Sequence, residues 1–188
     1  FLPFKDALFD GVIMNLVLEW CGMRDNDQHE ELQRRMLSEI YRVITPGGFL
    51  FISTKNRFAL GYILGKRDGH AYKMRFGNAL PRSIMNFCLK MRGKQKPLGL
   101  LHSHPSFIGM IKSAGFKRIE PFWVTPDMRY PEKYIPADTN SIRAARKKIW
   151  PDGQLKQSRG KIINKVMKIV PSCAVKLVAY GNVAIAYK

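Results

Sequence analysis

Residues 39–54 read EIYRVITPGGFLFIST, and this stretch decides the fold. It joins a helix, predicted over Glu30–Ile44 from apolar residues at three- and four-residue steps, to a buried strand predicted over Phe49–Thr54. Pro46-Gly47-Gly48 ends the helix and turns the chain. Upstream, the apolar run FDGVIMNLVL at Phe9–Leu18 predicts a strand covered on both faces. A strand, a helix and a strand in this order predict a right-handed parallel crossover, and therefore an α/β fold.

The remaining sequence predicts further elements around two basic insertions, residues 55–101 and 125–170. A chain of 188 residues is long enough for a single domain with one hydrophobic core, and we predict one over residues 1–188. The further predicted elements are helices at Arg82–Met91, Pro105–Ala114 and Gly160–Val170, and strands at Phe116–Val124 and Leu177–Tyr187.

The charge of the chain is strongly positive and unevenly distributed. Its formal net charge is +18, with eleven basic residues against Asp68 alone in residues 55–96 and nine against Asp152 alone in residues 141–168. Such blocks of basic residues predict an anionic partner. The candidates are a phosphate-bearing substrate, an acidic membrane surface and a nucleic acid, and the alternative is that the charges only make the surface highly soluble. Three widely spaced cysteines indicate reduced thiols and a cytoplasmic protein.

Three motifs together resemble the class I S-adenosylmethionine-dependent methyltransferases of the type-11 kind. They are LPF…FDGVIMNLVLEW at residues 2–20, EIYRVITPGGFLFIST at 39–54, and SAGF at 113–116 with a strand after it. The resemblance implies a partial Rossmann-like sheet with the equivalents of strands four to seven, the last one antiparallel, and S-adenosylmethionine as cofactor. No Gly-x-Gly occurs in the 188 residues. We therefore expect the C-terminal part of such an enzyme, truncated before the glycine-rich cofactor loop and inactive without its missing N-terminal half.

The resemblance also assigns roles to residues at the ends of two strands. Asn15, Leu16 and Val17 match positions beside the sulfonium and the transferring methyl group; the alternative for Asn15 is a strand-end residue that bonds only to backbone. Asn56 and Arg57 follow the Phe49–Thr54 strand at its carboxyl end, where acceptors enter, and are predicted to bind substrate. Arg57 is suited to clamp a phosphate or carboxylate, and the alternative is an ordinary surface cation.

Two histidines are candidate catalytic bases, because a hydroxyl acceptor profits from a nearby group that takes its proton. They are His70, in the first insertion, and His104, in the segment before the Phe116 strand; the alternative for each is a structural or exposed histidine. The sequence LHSHP at 101–105 resembles the His-x-His-Pro metal motif of the JAMM-type isopeptidases. However, Lys112 and Gly115 stand where that motif requires serine and aspartate, so no metal site is predicted.

Two classes of function follow from these observations. The first is a methyltransferase that acts on a small-molecule, saccharide or phosphate-bearing acceptor in the cytoplasm. The second is a non-catalytic basic α/β module that docks on an acidic membrane surface or polymer through the Gly160–Val170 helix, where Lys161, Lys165 and Lys168 lie opposite isoleucine and valine. Ordinary packing of that helix on the sheet is its alternative. Nucleic-acid binding ranks third, because no named recognition motif is present.

Overall fold

The computed structural model describes residues 2–23, 29–128, 130–149 and 158–188. The strands are β1 (Phe9–Asn15), β2 (Ile44–Lys55), β3 (Arg118–Asp127), β4 (Tyr130–Pro136) and β5 (Gly181–Tyr187). The α-helices are α1 (His29–Val43), α2 (Leu60–Ile63), α3 (Arg82–Lys90), α4 (His104–Ser113), α5 (Thr139–Ile149), α6 (Ser158–Ile169) and α7 (Val175–Val178). Short 3₁₀ turns lie at Leu18–Trp20, Gly69–Ala71 and Ser172–Ala174.

The described strands form one sheet in the order β1-β2-β5-β3-β4. Strands β1 and β2 are parallel, with Val12 opposite Leu50 and Met14 opposite Ile52. Strand β5 lies antiparallel between β2 and β3, and β4 pairs antiparallel with the outer edge of β3. This topology confirms the predicted partial methyltransferase sheet, in which the last strand of the chain is antiparallel to both of its neighbours.

The main core lies between the sheet and two helices. Helices α1 and α4 direct apolar side chains, among them Leu37 and Phe107, onto Leu50 and Ile52 of β2 and onto Ala184 of β5; none of these five is more than 2 % exposed. The apolar side chains of α1 lie on one face of the helix and pack in this core, which is why their three- and four-residue spacing predicted the helix from sequence. A second cluster, formed by α5, α6 and α7 with β3 and β4, includes Trp123, Ile142 and Met167.

Strand β1 is covered on only one face, so the prediction of a strand buried on both faces was wrong. Met14 points into the core, whereas Ile13 is 73 % exposed and neighbouring Leu8 is 50 % exposed. Within the part of the chain that the structure describes, β1 is an edge strand. The apolar run alone cannot reveal this, because burial on the second face requires a neighbouring element.

Three boundaries differ from the sequence prediction. Pro46-Gly47-Gly48 does not precede β2 but lies within it as a bulge, where Gly47 has φ +81° and the register with β1 shifts between Phe9 and Gly11. The predicted final strand begins at Gly181 rather than Leu177, because Val175–Val178 form a helical turn. Strand β4 lies in the second predicted insertion, for which no strand was predicted.

The first insertion returns to the sheet beside the point where it leaves. Asn56, directly after β2, forms a parallel bridge with His102, and the Arg57 backbone N–H donates to the His102 carbonyl at 3.0 Å. Residues 57–101 therefore form an excursion whose two ends meet at the carboxyl end of β2. That excursion holds most of the side chains of the candidate site.

Candidate functional site

The carboxyl ends of β1 and β2 lie side by side and open into one turn. Asn15 pairs in register with Ser53, whose hydroxyl donates to Oδ1 of Asn15, and the Leu16 N–H donates to the Ser53 carbonyl at 2.9 Å. Leu16 has φ +57°, a left-handed conformation that costs a non-glycine residue on the order of 1 kcal/mol. This sharp turn leaves Asn15 and Val17 exposed. The three predicted cofactor residues thus form one exposed turn at the expected edge of the sheet.

The residues after this turn combine a buried acid with an aromatic side chain. Glu19 is 1 % exposed, and its Oε2 accepts from the Thr54 hydroxyl at 2.7 Å. Its other oxygen, Oε1, is buried with no hydrogen-bond partner among the described residues. Trp20 stacks on the ring of His70, with the ring centroids 4.1 Å apart. Glu19 therefore places an incompletely satisfied carboxylate directly behind the Asn15–Val17 turn.

Asp68 is the centre of a charged cluster at the same end of the sheet. Its Oδ2 accepts from Nζ of Lys55 at 2.8 Å and from the Tyr62 hydroxyl at 2.9 Å. Its Oδ1 accepts from the backbone N–H of His70 at 3.0 Å and also contacts Nδ1 of the same imidazole. Burial alone would raise the pKa of the Asp68 carboxyl, but the bonds from His70 and Lys55 outweigh it and hold that pKa well below its usual range.

His70 is held from several sides within this cluster. Nδ1 faces Asp68, Trp20 covers the ring, and Gly99 packs so closely that a Cβ atom there would collide with the imidazole. Nε2 is buried and has no hydrogen-bond partner among the described residues. An imidazole that is oriented through Nδ1 by a carboxylate and left unpaired at Nε2 has the arrangement used for general base chemistry.

The second histidine candidate lies apart from this cluster. His104 opens α4, is 7 % exposed and interacts with the side chain of Asn182 on β5. Burial lowers its pKa, and the hydrogen bond with Asn182 opposes that change. No hydrogen bond between described residues joins His104 to Asp68 or His70. Of the two histidines, only His70 contacts a carboxylate among the described residues.

The two predicted substrate residues occupy different environments. Asn56 is fully buried: Nδ2 donates to the carbonyls of Leu177 and Ala179 at 2.9 and 3.1 Å, and Oδ1 accepts from the Phe58 N–H at 3.0 Å. These three bonds use the whole amide group and tie the end of β2 to the segment before β5. Arg57 is half-buried, and it borders an open depression instead.

That depression brings a further arginine to the site. It is open to solvent and is bordered by Arg57, Arg82, Asn78, Gly99 and Leu101, among other residues. Nε of Arg57 donates to the Asn78 carbonyl at 2.9 Å, and Nη2 donates to the Leu80 carbonyl. Gly99 contacts His70 on one side and borders the depression on the other. The depression is therefore next to the Asp68–His70 pair.

Sequence reasoning missed three side chains of this site. Lys55, Tyr62 and Arg82 belong to no recognised motif, and only the folded excursion brings the first two to Asp68. Asp68 itself carried a readable signal, since it is the only acid in residues 55–96. A single carboxylate among eleven basic residues is expected to be paired, and burial of that pair identifies the cluster.

The helix predicted for membrane docking packs on the protein. Ile163, Val166 and Met167 of α6 belong to the second core cluster, whereas Lys165 and Lys168 are exposed. The side chains of Lys161 and Ile162 lie outside the described residues. Within the described ranges, every helix is too short or too polar to traverse a lipid bilayer, and no three His, Cys, Asp or Glu side chains converge as metal ligands would.

Comparison with known proteins gives a family match over part of the chain. Residues 1–52 match the family model described as a methyltransferase domain, which confirms the resemblance predicted from β1, α1 and β2. No curated protein sequence matches the chain.

Several solved structures that are similar to this chain are described as methyltransferases, and their sequence identity is low. One from Thermotoga maritima, described as a possible histamine N-methyltransferase, has 14 % identity and a TM-score of 0.47 over 100 % of this chain and 60 % of its own. S-adenosylmethionine-dependent methyltransferases from Archaeoglobus fulgidus and Mesorhizobium loti have 15 % and 12 % identity and TM-scores of 0.42 and 0.46. These two matches cover 98 % and 100 % of this chain, and 62 % and 65 % of the respective structures. The chain thus spans less than two thirds of the length of each of these structures.

Proposed function

We propose that this chain is part of an S-adenosylmethionine-dependent methyltransferase and that the Asn15–Val17 turn borders the cofactor. The observation that carries the proposal is this turn, which is exposed, strained at Leu16 and pinned to Ser53. It lies within the 52 residues that match the methyltransferase family. Ligands of open α/β sheets bind at the carboxyl ends of the strands, which is where the turn lies.

The residues at the carboxyl ends of β1 and β2 suit a cofactor that carries a positive charge. S-adenosylmethionine, when bound, supplies a methyl group activated by a positively charged sulfur. The buried, unpaired oxygen of Glu19 gives the region behind the turn a negative potential, which favours a cation. No Gly-x-Gly is present in the 188 residues, so the chain provides one wall of such a site rather than its glycine-rich loop.

His70 is the proposed base that takes a proton from the methyl acceptor. Asp68 accepts the Nδ1–H, which leaves the lone pair of Nε2 for the acceptor's hydroxyl or amine proton. Lys55 holds Asp68 in its ionised form, and the carboxylate then stabilises the imidazolium after proton transfer. Because Trp20 covers the ring, an acceptor reaches Nε2 only when that indole moves aside. His104 lacks such a partner carboxylate, so we do not assign it the same role.

The proposed acceptor is a small molecule or a saccharide, with or without a phosphate group. The net charge of +18 and the basic excursion after β2 support an anionic acceptor. The position of Arg57 at the carboxyl end of β2 supports entry of the acceptor on that side.

Titration of the full protein that carries this chain with S-adenosylhomocysteine tests the cofactor site. Replacing Asn15 with tryptophan is expected to weaken binding at least tenfold, because the indole fills the exposed turn. Asn86→Trp, an exposed position on α3, is the matched control and should leave the affinity unchanged. Equal affinities for the wild type and Asn15→Trp would refute the site assignment, and no binding to the wild type would refute the cofactor.

The proposed base has its own test in turnover. His70→Gln is expected to lower kcat at least a hundredfold, in the range measured for general bases, because the acceptor keeps its proton. Asp68 acts through His70, so Asp68→Asn should lower kcat less than His70→Gln does. An unchanged kcat in His70→Gln would remove His70 from the mechanism while leaving the cofactor site standing.

A further inference from the structure

Two arginines from separate segments meet at the depression beside His70. Arg57 is the second residue after β2, and Arg82 is the first residue of α3. Both border the same open depression. Their guanidinium groups are 25 residues apart in the chain, so only the fold of the excursion brings them together.

Neither arginine has a carboxylate partner among the described residues. Arg57 is fixed by the carbonyls of Asn78 and Leu80, which leaves its positive charge uncompensated. The charge of Glu30 reaches Arg82, but the Glu30 carboxylate is bonded to Arg34 at 2.9 Å. The depression therefore holds two positive charges and no paired acid.

The two charges also disfavour each other. Burial lowers the pKa of Arg57, and the nearby Arg82 lowers it further. Burial likewise lowers the pKa of Arg82, partly offset by Glu30. Partly desolvated like charges in one depression raise the free energy of the folded protein, and a bound anion offsets this cost through its opposite charge.

The start of α3 adds to the positive potential. Arg82 is preceded by Pro81, which supplies no capping side chain, so the first N–H groups of this nine-residue helix have no side-chain acceptor. Free N–H groups and the helix dipole favour anions at such an end. They reinforce the arginines and would not define a site without them.

We propose that the Arg57–Arg82 depression binds a phosphate group carried by the methyl acceptor. That the phosphate belongs to a methyl acceptor rests on the proposed function. That a phosphate binds here rests on the two arginines. A phosphate offers three oxygens to the planar donors of Arg82 and to the positive charge of Arg57, whose Nε already donates to the Asn78 carbonyl, whereas a carboxylate offers two. Gly99 separates the depression from His70 by one residue, so a phosphate held there places the rest of a small acceptor beside the base.

Calorimetric titration with inorganic phosphate and with glycerol 3-phosphate in 50 mM NaCl tests the site. We expect dissociation constants near the millimolar range for the wild type and at least tenfold weaker binding for Arg82→Gln, which leaves the bonds of Arg57 intact. Arg82→Lys should bind with intermediate affinity, because it keeps the charge and loses the fork. Arg92→Gln makes the same charge change at an exposed position just after α3 and should bind like the wild type.

Three results would overturn the proposal. They are equal phosphate affinity in the wild type and Arg82→Gln, equal weakening by Arg92→Gln, and acetate binding as tight as phosphate binding. Stronger binding of glycerol 3-phosphate than of inorganic phosphate supports an esterified acceptor, whereas stronger binding of inorganic phosphate would overturn the assignment to an acceptor. S-adenosylhomocysteine titration of the wild type reads out the proposed function separately. Arg82-dependent phosphate binding without cofactor binding would retain the phosphate site and refute the methyltransferase proposal.

Discussion

Removing the negative charge of Asp68 is expected to destabilise the fold by about 3 kcal/mol, since breaking one member of a buried ion pair typically costs 3–5 kcal/mol. The Asp68 side chain is 8 % exposed and that of Lys55 is 12 % exposed, so neither charge is well screened by water. In Asp68→Asn the amide oxygen still accepts one hydrogen bond, which is why we place the effect at the lower end. Lys55 and Tyr62 then compete with His70 for a single weaker acceptor.

Urea unfolding at pH 7, followed by circular dichroism, measures this loss. With a slope of about 2 kcal/mol per molar urea, the midpoint should fall by about 1.5 M. Because the folded-state pKa of Asp68 is lowered, its contribution is fully present above the unfolded-state value near 4 and is lost as the pH falls further. The difference between the wild type and Asp68→Asn should therefore persist at pH 5 and shrink only in stronger acid.

Glu132→Gln, which changes the net charge equally at an exposed position on β4, is the control and should stay within 0.5 kcal/mol of the wild type, as surface substitutions usually do. Lys55→Met combined with Asp68→Asn should be less destabilising than the sum of the single changes, because the double variant leaves no unpaired buried charge. If Asp68→Asn proves no more destabilising than Glu132→Gln, the reasoning about the cluster is wrong.

Two further perturbations test other parts of the structure. Gly99→Ala places a Cβ atom against the His70 ring and 2.5 Å from the Glu19 carbonyl oxygen, so it should destabilise the protein by about 1–3 kcal/mol in urea unfolding. The control is Gly109→Ala, whose Cβ would meet no neighbouring atom within 4 Å and which should stabilise α4 by about 0.5 kcal/mol. A similar effect of the two changes would contradict this packing. Burial lowers the pKa of His102 to about 4, whereas the unfolded-state pKa is near 6.5. The neutral imidazole therefore contributes its full stability above pH 6.5, and the free energy of unfolding should decrease by roughly 3 kcal/mol as the pH falls from 6.5 to 4. Imidazole resonances that titrate near pH 6.5 for His102 would contradict this.

The sequence predicted the first half of the sheet because its local and tertiary signals agree. The apolar period of α1 and the buried run of β2 each correspond to a surface that packs in the main core, so each pattern indicates its real environment. The prediction was wrong where one pattern suits two structures. The predicted strand from Leu177 is apolar enough for a strand, yet Val175–Val178 form a helical turn. The side chain of Asn56 donates to the carbonyls of Leu177 and Ala179 at this point.

The candidate site was only partly predictable, because its members come from an irregular excursion. His70 could be singled out as a histidine in a basic loop. However, the bonds that Lys55 and Tyr62 donate to Asp68, the partner of His70, depend on how residues 57–101 fold back. Arg57 stood at a strand end and was therefore noticed, whereas Arg82 begins a helix with nothing to distinguish it from other basic residues. No local pattern records that two arginines distant in sequence border one depression.

The position of β5 in the sheet determines when the described sheet can form during synthesis. This strand links β2 to β3, with Phe49 opposite Tyr187 and Arg118 opposite the same tyrosine, yet it is translated after both neighbours. At 5–20 residues per second, β2 leaves the ribosome on the order of ten seconds before its antiparallel neighbour. During that interval β2 has β1 as a partner on one side only, and its other row of backbone donors and acceptors faces solvent or a chaperone. The nascent chain is therefore most vulnerable to misassociation between the synthesis of β2 and the synthesis of β5, which closes the middle of the described sheet.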